Sequence, residues 1–412
     1  MTDTSNTSVR AAETAARTAY GRLIGILAAR SGDIASAEDA LSDAFAAALA
    51  TWPDRGVPQA PEAWLLSAAK RNLIDRARRK ATATKSEPDL ISSIEDLAMD
   101  GADPDMPDPR LGLLFLCAHP AIDFRVRTPL MLQTVLGVSA ERIASVYMIN
   151  PKAMSGRLVR AKSKIKAAGI PFGIPGPEAW TDRLDAVLAA VYGAYTASWG
   201  DMADTSGKLE TLHSEAEWIA RLLVQQLPDS GECKGLLALI LFCEARRSAR
   251  THHDAYIPLR DQDTSLWDSE LVGEAQRLLR GAASNLDGGR YQLEAAIQSV
   301  HALRAVTGET DWASLLKLYD VLLATTPSLG AAIARAAVLA EVDGPHIALA
   351  ALDELPADRL ASHGPYHATL AHCLANGGHT EAALTAYKRA AELTPDAAVR
   401  DWLDAKARQL RS

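Results

Sequence analysis

The chain has 412 residues, of which 48% are apolar, 23% are charged and only 5% are aromatic, and its formal net charge is −8. This length allows two to four domains of ordinary size. The longest apolar run, GLLALILF at 235–242, is too short to span a bilayer, and the first residues contain no apolar stretch of the kind found in secretion signals. From these features we expect neither a helical membrane protein nor a secreted one, but a cytoplasmic protein.

Charge is distributed unevenly along the chain. Residues 1–85 hold 12 Lys/Arg against 9 Asp/Glu, residues 86–110 hold 1 against 8, and residues 111–170 hold 9 against 2. The remainder is acidic, with 21 basic against 32 acidic residues. Two basic blocks on an otherwise acidic protein predict nucleic-acid contacts confined to the first 170 residues.

The first basic block begins with helical patterns. Apolar residues recur at helical spacing over 9–31 and again over about 35–51. The stretch 52–60, which contains Trp52 and two prolines, predicts a loop before the next helix. That helix, 61–80, begins at Pro61 and carries most of its cations in its second half. Its mixture of cations with Trp64 is typical of single-strand binding, although Trp64 is also a good core residue.

The second basic block predicts three or four short helices over 111–168. Ser139 is a suitable N-cap for one helix, and Pro151 is suited to the first turn of the next. In the second of these helices Met154, Leu158 and Ile165 share one face. The opposite face is small, polar and basic, with these residues: Lys152, Ser155, Gly156, Val159, Arg160, Ser163. This pattern predicts a helix-turn-helix whose second helix enters a DNA major groove.

The blocks are separated by different kinds of connection. Residues 86–110 are acidic and proline-rich, which predicts a linker. The prolines and glycines of 171–180 predict a hinge. From 181 to 412 the pattern is helical throughout, and 366–396 matches the spacing of a tetratricopeptide (TPR) helix pair.

Two motifs of the C-terminal part, and the cysteines, allow more than one interpretation. The acidic run DQDTSLWD at 261–268 suggests a metal site, but we favour helix capping. Asp287, Gly288, Gly289 and Arg290 form a turn by their chemistry. The four cysteines lack metal-site spacing, so we expect buried, inert thiols and neither a metal nor a cofactor.

The order of these parts resembles a known family. SAEDALSDAFAAAL (36–49) followed by PEAWLLSAAKRNLIDRARRK (61–80) resembles region 2 of sigma-70 family factors of the extracytoplasmic-function type. GVSAERIASVYMINPKAMSGRLVRAKSKIKAAGIP (137–171) resembles their region 4. The C-terminal part resembles the extension of the subgroup with a TPR-like domain, in which the DGGR of 287–290 is a signature. Met148 departs from the pattern, because a turn glycine is usual there.

The resemblance implies roles for particular residues. It implies polymerase binding by the second helix, through Glu38, Asp39, Asp43 and Phe45. It implies capture of the −10 element by the loop 52–60 and by Lys70, Arg71, Asn72, Arg76 and Arg79. It implies −35 recognition by the outward face of the helix that begins at Pro151, and a regulatory or docking contact at Asp287–Arg290 as an alternative to a plain turn. The acidic linker is either a soluble spacer or a mimic of nascent RNA in a polymerase channel.

We therefore predict an all-α sigma factor with three domains joined by two connections. The domains are region 2 (1–85), region 4 (111–170) and a TPR-like extension (181–412), and the connections are the acidic linker (86–110) and the hinge (171–180). The expected partners are core RNA polymerase, promoter DNA and, through the extension, a protein or the region-4 domain itself. The expected activity is not enzymatic. Two alternatives remain open: a stand-alone helix-turn-helix regulator, or a TPR scaffold for protein interactions.

Overall fold

The computed structural model describes residues 2–84, 108–147, 149–170, 172, 181–197, 208–283, 288–357 and 360–411. Contacts divide the chain into two compact units, Met1–Ala197 and Ser198–Ser412. Both units are built from helices, which confirms the predicted all-α class. Most of the central linker (86–107), most of the hinge, Met148 and Asp287 lie outside the described residues.

The helices of the first unit are α1 (Thr2–Ser31), α2 (Ile34–Arg55), α3 (Pro61–Thr84), α4 (Pro109–Cys117), α5 (Phe124–Thr134), α6 (Ala140–Val146), α7 (Pro151–Ala167) and α8 (Thr181–Ala197). Those of the second unit are α9 (Lys208–Gln226), α10 (Gly231–Ala245), α11 (Ser269–Ala283), α12 (Arg290–Thr307), α13 (Trp312–Thr325), α14 (Leu329–Val342), α15 (Pro345–Asp353), α16 (Gly364–Asn376), α17 (Thr380–Leu393) and α18 (Ala397–Gln409).

Helices α1, α2 and α3 pack against one another around an apolar core. The core takes one face of each helix, represented by Ile24, Leu41 and Leu65, which are fully buried. The expected loop at 52–60 is wrong in its first half, because α2 continues through the WPDR sequence to Arg55 and buries Trp52. Burial of this large side chain extends the helix by one turn, and the connection to α3 is only 56–60.

Helices α4 to α8 form the rest of the first unit. Asp108 caps α4, which therefore starts two residues before the predicted boundary at 111. Ser139 and Pro151 take the predicted positions at the starts of α6 and α7, since the Ser139 hydroxyl accepts a hydrogen bond from the Arg142 N–H and Pro151 begins α7. Helix α8 packs on α4 and α5, although the sequence pattern assigned 181–197 to the C-terminal extension.

Two glycines bring α1 into close contact with this second group of helices. A Cβ at Gly21 would lie 2.0 Å from the carbonyl oxygen of Val135, and one at Gly25 would lie 2.8 Å from Pro109 Cβ. The backbone of α1 therefore touches the end of α5 and the start of α4 directly, and a side chain at either position would push them apart.

In the second unit, consecutive helices pack side by side from α9 to α18. The helix pair predicted at 366–396 is present as α16 and α17, whose contact buries Ala371, Ala390 and Tyr387. Their Ala-rich surfaces allow the helices to approach closely.

The segment between α10 and α11 corrects the expectation of helix throughout this part of the chain. It contains a hairpin of two short strands, β1 (Thr251–His252) and β2 (Ala255–Tyr256), and the 3₁₀ turns Arg247–Ala249, Leu259–Asp261 and Thr264–Leu266. The turn residues His253 and Asp254 have positive φ angles, as a tight hairpin turn requires. Tyr256 packs on Trp402 of α18, and Arg304 of α12 donates hydrogen bonds to the carbonyls of Arg260 and Gln262. The segment is therefore fixed by side chains from later helices.

Candidate functional site

Helix α7 has a buried face and an exposed face. Met154, Leu158 and Ile165 are buried against α5 and α6, as predicted. The residues predicted to face DNA are at the surface: Lys152, Ser155, Val159, Arg160 and Ser163 are exposed, and nothing lies within 4 Å of a Cβ built on Gly156. Val159 is 60% exposed, which is unusual for an apolar residue in a helix with a well-formed core. An exposed face of small, apolar and basic residues suits contact with DNA bases and phosphates.

The second cationic surface lies on α3. Lys70 and Asn72 are half-buried, whereas Arg71 and Arg79 are exposed. Asn72 is tied to α2, because its Nδ2 donates a hydrogen bond to the Ala40 carbonyl at 3.2 Å. Arg71 and Arg79 donate to carbonyls one turn earlier in α3, which leaves the charge of each at the surface.

Arg76 connects the predicted DNA-binding and polymerase-binding surfaces. Its Nη1 lies 2.7 Å from Asp39 Oδ2 and its Nη2 lies 2.6 Å from Asp43 Oδ2. These hydrogen bonds raise the pKa of the Arg76 guanidinium above its ordinary value. Asp39 and Asp43 remain 67% and 54% exposed, so both carboxylates are accessible to a protein partner.

The other two predicted polymerase-binding residues lie deeper on α2. Phe45 is half-buried. Glu38 accepts hydrogen bonds at 2.7 and 2.6 Å from the Nζ of Lys162, a residue of α7. Burial raises the pKa of Glu38, although the charge of Lys162 opposes this shift. The structure thus pairs a residue predicted to bind polymerase with the helix predicted to bind DNA.

A basic cleft between the N-terminus of α5 and α7 was missed by sequence reasoning. Its cationic lining residues are Arg125, Arg157, Arg160 and Lys164, and its volume is about 360 Å³. Phe124, beside the cleft, is 71% exposed, and its ring lies 5.4 Å from the Arg125 guanidinium carbon. The spacing of residues 157, 160 and 164 places three cations on one side of a helix, and this could have been seen in the sequence. That Arg125 of α5 lies beside them could be seen only in the tertiary structure.

Of the two tryptophans near the predicted −10 surface, Trp52 belongs to the core and Trp64 lies at its edge. Trp52 is 1% exposed and meets Trp64 edge to face, with ring centroids 5.5 Å apart. Trp64 is half-buried. This contact fixes the turn from α2 into α3 and leaves only part of Trp64 at the surface.

In the second unit, the DGGR sequence forms the start of α12. The Glu232 carboxylate accepts hydrogen bonds from the backbone N–H groups of Tyr291 and Gln292, both at 3.1 Å. A Cβ at Gly289 would lie 2.3 Å from the Glu232 carboxyl carbon. The observed contact of this sequence is therefore an interhelical cap, and its predicted regulatory role stays a prediction, with Asp287 outside the described residues.

The acidic run at 261–268 acts as predicted in capping. Asp268 accepts hydrogen bonds from Glu270 N and Leu271 N at the start of α11, and Asp263 accepts one from Ser265 N. Within the described part of the chain, no group of three or more His, Cys, Asp or Glu side chains is placed to hold a metal ion.

The thiols lie in apolar surroundings, as the sequence predicted. Cys117, Cys233 and Cys373 are buried and Cys243 is partly buried. Burial raises the pKa of Cys117 to about 12 and those of Cys233 and Cys373 to about 11, so these three thiols stay protonated and unreactive near neutral pH. None of the described helices is long and apolar enough to cross a membrane.

Comparison with known proteins identifies the N-terminal part. The family described as Sigma-70 region 2 matches residues 16–82, which cover about half of α1, all of α2 and nearly all of α3. A family of unknown function, DUF6596, matches residues 183–283, from α8 to α11. No solved structure matches the chain significantly.

A relative extends the similarity across both units. An uncharacterized protein of Rhizobium meliloti is 34% identical over 367 residues, which are 88% of this chain and 86% of the relative. Region 2 implies interaction with core RNA polymerase and promoter DNA. The chain therefore belongs to one family with this relative and carries a sigma-70 region 2 domain, which supports a sigma factor of the sigma-70 family that acts in transcription initiation.

Proposed function

We propose that the chain is a cytoplasmic sigma factor of the extracytoplasmic-function type, which directs core RNA polymerase to specific promoters. In this proposal α3 and the loop 56–60 bind the −10 element, and the outward face of α7 reads the −35 element. The single observation that carries the proposal is the exposed face of α7 in the same unit as a region 2 domain. A polymerase-binding module and a DNA-reading helix are the two parts that promoter selection needs.

The surface chemistry supports the assignment of α7. Val159 and Gly156 offer apolar contact and close approach to base edges, while Lys152 and Arg160 supply charge for phosphates. Asn150 caps α7 by accepting a hydrogen bond from Lys152 N at 2.9 Å, which fixes the first turn. The side chains at the start of the helix are thereby held in position for groove contacts.

The second unit is proposed to be a TPR-like regulatory domain that binds a protein partner. Its consecutive helix pairs and Ala-rich contacts support this assignment. Because residues 181–197 pack in the first unit, the interaction domain of the proposal begins with α9.

The function is tested by transcription in vitro with purified core polymerase, with start sites mapped by sequencing. We expect promoter-specific transcripts. The variant Asp39→Arg/Asp43→Arg is expected to lose polymerase binding and transcription but to keep binding to duplex DNA. Since these carboxylates also pair with Arg76, Arg76→Gln serves as the matched control for polymerase binding, because it breaks both ion pairs and leaves the acidic face of α2 intact. Transcription is not compared with this variant, because Arg76 is also assigned to the −10 element.

The two alternative functions give different results in the same experiment. A stand-alone regulator binds duplex DNA without polymerase, and the double variant at Asp39 and Asp43 changes nothing. A TPR scaffold binds a protein but produces no transcript at any promoter. If core polymerase fails to bind the full chain, the proposed function is wrong.

A further inference from the structure

Helix α7 carries cations on both sides of its outward face, and the two sides differ. One side presents Arg157, Arg160 and Lys164, and the other presents Lys162 and Lys166. The first side opens into the basic cleft next to α5. The second side faces α2, which buries Lys162 and leaves the Lys166 side chain 55% exposed.

The open side has cationic groups without carboxylate partners. No carboxylate lies within ion-pair distance of Arg125, Arg157 or Lys164 among the described residues. The carboxylate of Asp123 also lines the cleft, but it caps α5 by accepting a hydrogen bond from the Arg125 N–H at 3.0 Å. The cleft is therefore lined by four cationic side chains and one carboxylate, and that carboxylate already accepts a backbone hydrogen bond. This excess of positive charge makes the cleft suitable for an anion.

On the side that faces α2, each lysine is paired with one carboxylate, that of Glu38 in α2 or that of Asp33, the N-cap of α2. Lys162 is 8% exposed and lies 2.6 Å from Glu38 Oε2, and Lys166 Nζ lies 2.5 Å from Asp33 Oδ2. Burial would raise the pKa of Asp33, but hydrogen bonds from Lys166 and Ser36 outweigh it and lower the pKa, so Asp33 stays ionised at neutral pH. The two lysines are therefore neutralised by the protein itself.

The width of the DNA major groove indicates what the two sides of α7 would contact. A major groove is about 12 Å wide, and an α-helix with its side chains is about 10–12 Å across. A helix in the groove thus meets the phosphates of one strand on each side. On one of these sides, the carboxylates of Glu38 and Asp33 occupy the position at the lysines that phosphates of a bound DNA strand would take.

We propose that the cleft formed by Arg125, Arg157, Arg160 and Lys164 binds the phosphates of one DNA strand, and that Asp33 and Glu38 compete with the phosphates of the other strand for Lys166 and Lys162. The proposal rests on the assigned role of α7 in DNA binding. Full insertion of α7 into the groove then requires α7 to leave α2.

The cleft is tested by the affinity of the full chain for a random-sequence DNA duplex over a range of salt concentrations. The variant Arg157→Gln/Lys164→Gln is expected to bind about tenfold more weakly at low salt, with a slope of log affinity against log salt that is smaller by about 1 to 2. The control Arg277→Gln/Arg280→Gln removes the same charge from α11 and should keep the slope. An unchanged slope in the cleft variant overturns the phosphate site.

The competition is tested with Glu38→Gln, which leaves Lys162 without its carboxylate. We expect this variant to bind the same duplex about fivefold more tightly than the wild type. The control Glu62→Gln removes the same charge from α3, where Glu62 lies 3.8 Å from Arg22, and should show only the small effect of net charge. Equal affinities of the two variants would overturn the competition.

A second measurement does not depend on either variant folding well. A carbodiimide reagent joins carboxylates and amines in direct contact, so the wild type should yield a Lys162–Glu38 cross-link detectable by mass spectrometry. Saturating duplex should reduce its yield, and an unchanged yield contradicts the competition. A further variant, Lys152→Gln/Val159→Ala, tests the proposed function separately from the competition, because it changes the face of α7 that is assigned to base reading. If that variant binds a mapped promoter duplex as well as the wild type does, α7 is not the reading helix.

Discussion

The contact between Glu232 and the start of α12 depends on the absence of a side chain at Gly289. The carboxylate takes the place that a Cβ would occupy and accepts two backbone hydrogen bonds there. Loss of function on mutating this turn would therefore reflect loss of a helix cap as readily as loss of a docking surface. Stability measurements separate the two explanations.

Gly289→Ala is expected to destabilise the second unit by about 1–3 kcal/mol, because it displaces a cap and leaves two helix N–H groups unpaired. Chemical denaturation followed by circular dichroism measures the change. Gly330→Ala is the control, since nothing lies within 4 Å of a Cβ at this helical position. Equal stability of both variants would contradict the capping role.

His301 gives the second unit a pH dependence. Burial, together with the charges of Arg246 and Arg304, lowers its pKa from 6.5 to about 4. The unfolded chain binds a proton as the pH falls through about 6.5, while the folded chain does so only near 4. The free energy of unfolding should therefore fall by about 3 kcal/mol as the pH is lowered from 6.5 to 4.

His301→Gln should remove that part of the pH dependence, as measured by denaturant midpoints of the full chain at several pH values. The same substitution at His252, an exposed hairpin residue, should retain it. A wild-type midpoint that does not change between pH 6.5 and 4 would show that His301 is not held neutral.

At the scale of elements, the packing of α1 on α4 and α5 is specified by Gly21 and Gly25. Gly21→Ala places a methyl group 2.0 Å from the Val135 carbonyl oxygen, so the helices must separate. We expect the first unit to lose about 2–4 kcal/mol of stability. Thermal unfolding measures the loss.

Gly156→Ala provides the comparison for this prediction, because it is a helical position with open space around it. The substitution should leave stability unchanged or increase it by up to about 1 kcal/mol. A Gly21→Ala variant that melts with the wild type would show that α1 does not touch α5 as described.

Periodicity and capping residues predicted the helices because those signals are local. Ser139 and Pro151 mark the starts of α6 and α7, and the buried face of α7 follows from its own spacing. The end of α2 was misplaced because burial of Trp52 is a tertiary effect that overrides the turn signals after it.

The relation between elements could not be predicted from local patterns. The cation spacing of α7 was readable, but nothing in the sequence around Lys162 indicates Glu38 as its partner, 124 residues earlier. The basic cleft likewise needs α5 and α7 together.

For the whole molecule, the boundary between the two units has a measurable consequence. Helix α8 buries Val187, Leu188, Val191 and Tyr195 within the first unit. A chain ending at 197 should therefore be more stable than one ending at 180 by on the order of 5 kcal/mol, since each buried side chain contributes about 1.5–3 kcal/mol. Denaturation of the two truncated chains tests this. Equal stability would place α8 outside the first unit.

The bridge from Arg76 to Asp39 and Asp43 links two binding events thermodynamically. A partner that takes up both carboxylates releases a guanidinium on the predicted strand-binding helix, and a nucleic acid that takes up the guanidinium releases the carboxylates. By reciprocity, each ligand then improves the affinity for the other by the same factor. Partly exposed pairs of this kind are worth about 0–1 kcal/mol each, so the cooperativity is at most modest, yet it favours capture of an opened strand by the assembled holoenzyme over capture by the free protein.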